Sequence, residues 1–283
     1  MYRIQNCQIL DNVAILLYDY IVILQKAKNM KVVIGARFKG GQGTSTTLTC
    51  LQNGLFKRDI KTLLVDLDEQ GNSTIAMGGS QDKATMHEVI NGDVDINEAI
   101  QNTWQGDLIA GNTSLKKLEA LGMGDGYLEN LTKMRDAFSK LAGYEYVLID
   151  TPPRISGFLI ESALTSADEV IIPVEASSFA TQGLPKLQKK IDVIRKNTNP
   201  DIKVDGILLT RHNPRTILNN EVATTIEKWA DSIGTKVYKT FIREGVVVKE
   251  SQAKKTSLFD YAPDSKPAQD YQNWIKEYLK ESL

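Results

Sequence analysis

Cysteine and histidine are nearly absent. Two cysteines, Cys7 and Cys50, are all that 283 residues carry, and they stand far apart without CxxC spacing. That excludes a disulfide framework, a thiolate metal site and a cysteine-held iron–sulfur cluster, and it suits a reducing cytoplasm. The two histidines, His87 and His212, have no evident ligand partner and read as surface or loop residues. Strong charge of one sign is also missing. With 34 basic against 35 acidic residues and a net charge of −1, no global basic field exists, so any nucleic-acid contact must come from a local patch. Long apolar runs are missing too. The richest, residues 9–24, is interrupted by Asp11 and Asp19; it is too short and too charged to span a membrane and lacks the flanks of a secretory signal. No repeat, low-complexity tract or long linker is visible.

What is present suits one medium-sized domain with a large core, since 42% of residues are hydrophobic and 24% charged. Residues 1–29 stand apart as an N-terminal extension, either a product of start-site choice upstream of Met30 or an additional amphipathic helix. The domain proper is expected over residues 30–283.

Its most informative segment is Lys39-Gly40-Gly41-Gln42-Gly43-Thr44-Ser45-Thr46. A β-branched run at 31–38 precedes it, and a helix is expected from about Ser45 to Phe56. Glycines let the backbone approach an anion closely, and the unpaired N–H groups and dipole of a helix start favour phosphate. In the usual phosphate loop a lysine follows the last glycine and a hydroxyl after it holds Mg²⁺. Here Thr44 stands at the lysine position, while Ser45 keeps the hydroxyl. An ordinary glycine-rich turn that binds nothing is the competing reading.

Two apolar strands end in carboxylates. One, from Lys61, delivers Asp66 and Asp68; the other, from Tyr146, delivers Asp150 and then runs into Pro152-Pro153. Buried parallel strands present ligands at their C-terminal edge, and an aspartate there suits Mg²⁺ opposite a phosphate loop. Taken singly, such an aspartate is more often a turn or helix-cap residue. Further expected elements are a helix within 86–100, a short strand near Leu108, helices at 115–121 and 127–141 separated by Gly122, Gly124 and Gly126, a helix from Phe158, a strand at 169–174, a helix at 184–197 and a strand at 204–210. This alternation predicts an α/β fold, a doubly wound, mostly parallel sheet with helices on both faces.

In these motifs and their order the chain resembles the ParA branch of the deviant Walker-type ATPases, relatives of MinD that partition plasmids and chromosomes. The family loop KGGxGK[ST]T is matched from Lys39, with Thr44 as the departure. The phrase DxDPQGN is matched at Asp66-Leu67-Asp68-Glu69-Gln70-Gly71-Asn72, with Glu69 for proline, and IDTPP is matched at residues 149–153. Segments at 167–174, 206–210 and 261–271 carry the same resemblance. It implies a P-loop ATPase using ATP and Mg²⁺, with residues 39–46 on the nucleotide and Ser45, Asp66 and Asp150 around the metal. It also implies that Asp68 positions the attacking water and that Lys39 reaches the partner's nucleotide across a homodimer. Expected partners are a ParB-like centromere-binding protein and non-specific DNA, with no membrane role, since charge is spread through the closing helix. The expected location is the cytoplasm, on the nucleoid. Arg215 matches one DNA-contacting arginine of the family; another falls on Val247, and Arg243, Glu244 and Gly245 replace Pro, Arg and Asn. Lys249, Lys254 and Lys255 could rebuild a basic patch. A loop without its lysine implies slow or conditional hydrolysis, or alternatively an adaptor that regulates a partition, replication or conjugation protein.

Overall fold

The computed structural model describes residues 30–122 and 126–281. The segment 1–29 and Gly124 lie outside the described residues. Seven strands are formed: β1 Lys31–Gly35, β2 Thr62–Asp66, β3 Gln101–Thr103, β4 Gly106–Ile109, β5 Tyr146–Asp150, β6 Glu169–Glu175 and β7 Lys203–Thr210. They make one sheet in the order β3-β4-β2-β5-β1-β6-β7, parallel throughout except for the β3–β4 hairpin at one edge. The expected doubly wound α/β architecture is therefore the one observed.

The central strands are apolar on both sides because both faces are covered. Along β5, Val147 and Ile149 join one core while Leu148 joins the other; on β1, Ile34 and Val33 divide in the same way. Alternate residues of a strand point to opposite faces, so a continuous apolar run is what a doubly covered strand requires. One core packs beneath helices that include Phe158–Ser166 and Ser178–Asn197. The other is closed by Thr44–Phe56 and Lys266–Leu279, around a fully buried Trp274 that meets Tyr238 and Tyr271 edge-on.

Several expected boundaries move. β1 stops at Gly35 instead of running to Phe38, and the chain then leaves the sheet for the glycine-rich loop. The helix expected at 184–197 begins at Ser178 and carries Pro185 inside it. Burial of Ala180, Leu184, Leu187, Ile191 and Ile194 at helical spacing offsets that proline. Residues 86–100 hold two short helices, Met86–Asn91 and Ile96–Ala99, separated at Gly92, whose φ is +82°. The 115–121 segment is a 3₁₀ helix, Thr113–Gly122. His212 lies in a loop but not on the surface: only 6% exposed, its ring meets Phe241 edge-on at 4.9 Å, and burial lowers its pKa. No described helix is long and apolar enough to cross a membrane.

Candidate functional site

The register of the sheet assembles the site. Gly35 of β1 pairs with Asp150 of β5, and Asp150 pairs with Asp66 of β2, so three strands end in one row. The phosphate loop leaves that row from β1 and enters the Thr44–Phe56 helix. Gly41 and Gly43 have φ of +83° and +81°, a left-handed conformation that glycine adopts without the penalty of a side chain. Gly35 is needed for another reason: a Cβ there would lie 2.7 Å from Leu48 Cδ1 and 2.8 Å from Thr44 Cγ2, so the helix could not approach the strand. Thr210, at the end of β7, donates to the Gln42 carbonyl at 2.9 Å and pins the loop from beneath.

The loop faces a cleft of about 380 Å³ lined by Gly41, Gly43, Thr44, Ser45 and Thr46 on one side and by Asn72, Ile75, Arg211 and Gln252 on the other; Arg37 lines it too, whereas Asp66, Asp68 and Asp150 are buried and do not. Thr44 is buried, with no hydrogen-bond partner for its Oγ1 among the described residues. Thr46 Oγ1 accepts from Gln252 Nε2 at 2.9 Å, tying the loop to the Val246–Ala253 helix. Lys39 and Gly40 are exposed at the loop's tip.

The three aspartates have different surroundings. Both oxygens of Asp66 are engaged: Oδ2 accepts from the Thr74 backbone N–H and hydroxyl, each at 2.8 Å, and Oδ1 accepts from the Asp68 N–H at 3.0 Å. Asp66 thus shapes the turn after β2. Asp68 accepts from the Gln70 N–H at 3.0 Å and from Arg37 Nη2 at 2.7 Å. Asp150 accepts from the Ser73 hydroxyl at 2.6 Å through Oδ2, while Oδ1, 3.7 Å from Arg37 Nη2, has no hydrogen-bond partner. Burial raises the pKa of Asp66 and of Asp150. Their mutual proximity adds to the rise at Asp66, and Arg37 opposes it at Asp150.

Arg37 is the residue that the sequence reading overlooked. Its guanidinium spans from Asp68 to within 3.4 Å of Ser45 Oγ. The available signal was a single cation, between Ala36 and Phe38, at the end of an apolar strand. Arg211, whose φ is +50°, and Gln252 were also overlooked; chain folding alone brings them to the cleft. The expected DNA residues separate into two places. Arg215 is exposed in the loop before the Ile217–Ser232 helix, while Lys249, Lys254 and Lys255 are exposed along and after the Val246–Ala253 helix. Arg243 is held by Asp270 through two guanidinium nitrogens.

The AAA domain family matches residues 30–204. The chain is 30% identical to the chromosome partitioning protein ParA of Myxococcus xanthus over 255 residues, covering 88% of each protein. It is also 30% identical to the sporulation initiation inhibitor protein Soj of Bacillus subtilis over 251 residues, 87% of this chain and 97% of Soj. It belongs to the ParA family of ATPases. Among solved structures, a Mycobacterium smegmatis protein described as cobyrinic acid a,c-diamide synthase, with bound ATP analog and magnesium, aligns with a TM-score of 0.71 at 30% identity over 89% of this chain and 94% of that one.

Proposed function

We propose that the protein is a partitioning ATPase whose ATP-bound homodimer binds DNA non-specifically and is regulated by a ParB-like partner, in the cytoplasm on the nucleoid. The observation that carries this reading is the placement of the Gly41–Ser45 loop on the cleft beside adjoining strand ends, with Arg37, which lines the same cleft, reaching the buried Asp68 and Asp150 behind it. Backbone N–H groups of the loop would hold the phosphates, and Lys39, at the exposed tip, would serve the partner's nucleotide. Residues at the cleft and buried behind it also fit Mg²⁺. Ser45 supplies a hydroxyl, and Asp150 Oδ1 is a buried carboxylate oxygen still without a hydrogen bond. No cluster of three His, Cys, Asp or Glu ligands occurs among the described residues, which accords with Mg²⁺ taking few protein ligands beside phosphate and water. The ion would neutralise phosphate charge. Asp68 would orient the attacking water, for which it must first part from Arg37.

Thr44 offers no charge to the phosphates, so hydrolysis is slow or conditional; removal of one preorganised donor slows such reactions about 10²–10³-fold. Arg215, Lys249, Lys254 and Lys255 would meet DNA phosphates. Calorimetric titration of ATP with Mg²⁺ into the wild type and Asp150→Ala tests the reading. The expected result is binding that weakens in the variant, with phosphate release accelerated by DNA and a ParB-like protein. An adaptor that keeps the fold without the switch is favoured by one observation, the guanidinium seated on Asp68, and it gains if no ATP binds at millimolar concentration.

A further inference from the structure

Among the described residues, Arg37 is the one lysine or arginine in the buried set, 6% exposed, and it sits among Asp66, Asp68 and Asp150, each no more than 3% exposed. A cation placed there at such a desolvation penalty calls for a reason. Its position supplies one. Nη2 contacts Asp68 at 2.7 Å and lies 3.7 Å from Asp150, Nη1 is 3.4 Å from Ser45 Oγ, and the residue lines the same cleft as the phosphate loop. Nε is buried with no hydrogen-bond partner. Thr44, at the lysine position, has its methyl group turned toward Gly35 and no charge to give.

We propose that Arg37 is the phosphate-charge partner of this site and takes over the work of the absent loop lysine. The inference rests on the ATP-binding reading above. Phosphates entering the cleft bring negative charge beside Asp68 and Asp150, and without a protein cation that approach is repulsive. A guanidinium matches phosphate oxygens with paired, charge-assisted hydrogen bonds that a hydroxyl cannot make. From its seat beside Ser45 the side chain exchanges carboxylate oxygens for phosphate oxygens, and Asp68 is released to the water as the nucleotide arrives. Nucleotide binding and the freeing of the catalytic carboxylate are then one event.

The test is calorimetry of ATP and of inorganic pyrophosphate on the full chain, in Mg²⁺ and in EDTA, for wild type, Arg37→Met and Arg37→Lys, with thermal melting as the folding control. Wild type should retain binding in EDTA, because its cation is built in. Arg37→Met should weaken ATP about 10- to 100-fold in Mg²⁺, the loss expected for charge-assisted hydrogen bonds, and should show no binding in EDTA. Arg37→Lys, which keeps the charge but loses the paired fork, should bind more weakly than wild type and more tightly than Arg37→Met. If Arg37→Met binds ATP as tightly as wild type or more tightly, Arg37 is a plug and the proposal is overturned. Wild type that binds only with Mg²⁺ overturns it too, and this comparison decides the matter if Arg37→Met does not fold. Absence of wild-type binding even in Mg²⁺ defeats the ATP-binding reading itself and the Arg37 assignment with it.

Discussion

The buried floor behind the cleft and the exposed basic rim, two outer stretches of the chain apart from it, carry charges of the same kinds in opposite surroundings. On the floor, Arg37, Asp66, Asp68 and Asp150 are buried and joined to one another or to backbone. On the rim, Lys249, Lys254, Lys255 and Arg215 face water. Desolvation makes each floor charge costly to leave alone, whereas solvent and salt screen each rim charge. Floor substitutions should therefore change stability and pH response together with ligand binding. Rim substitutions should change binding alone.

The largest effect is expected from Arg37→Met, which strands two buried carboxylates; a loss of about 3–5 kcal/mol in denaturant unfolding is predicted, and a loss no larger than that of an ordinary surface substitution would erase the contrast. Gly35→Ala comes next. Its Cβ would press Leu48 and Thr44 apart, and such overpacking should lower stability by about 1–3 kcal/mol while tilting the helix that carries the loop. Melting and ATP titration together read both consequences.

A smaller, pH-resolved effect is expected at Asp66. Its folded pKa is raised above the ordinary 3.8, first by burial and then by Asp150. A raised carboxylate contributes stability that is complete below the ordinary value and is lost as pH rises through the folded value. Melting temperatures measured from pH 4 to pH 8 should fall more steeply in wild type than in Asp66→Asn; equal slopes would mean that Asp66 ionises as an ordinary carboxylate. The smallest stability change belongs to the rim. Lys249→Ala with Arg215→Ala should move unfolding by no more than about 0.5 kcal/mol. If both residues meet phosphates, the pair should reduce the slope of DNA affinity against salt, on logarithmic axes, by about 0.9 for each phosphate no longer neutralised. An unchanged salt slope would remove these residues from the DNA surface.

Asp66 and Asp150 show how far sequence alone reaches. Both were legible as carboxylates closing apolar strands, and the sheet register sets them side by side. That Asp66 commits its oxygens to Thr74 and the Asp68 N–H while Asp150 keeps one open depends on how the turn after β2 folds back. The edge hairpin partner β3 was also hidden, because three residues, Gln101, Asn102 and Thr103, carry neither apolar alternation nor β-branching beyond the threonine. His212 was read as a surface or loop residue because a lone histidine carries no sign of the Phe241 ring that covers it.

Local chemistry in the sequence determined every strand of the sheet but the edge strand β3, the phosphate loop with its two left-handed glycines, the order of the carboxylates and hence the fold. Apolar runs, glycine and strand-end charges act within a few residues of themselves, so they can be read in line. The tertiary structure alone decided that Arg37 would cross 31 residues of chain to meet Asp68 and sit beside Asp150 and Ser45. Such a pairing is selected by the desolvation of all its members at once, and no one of them records it.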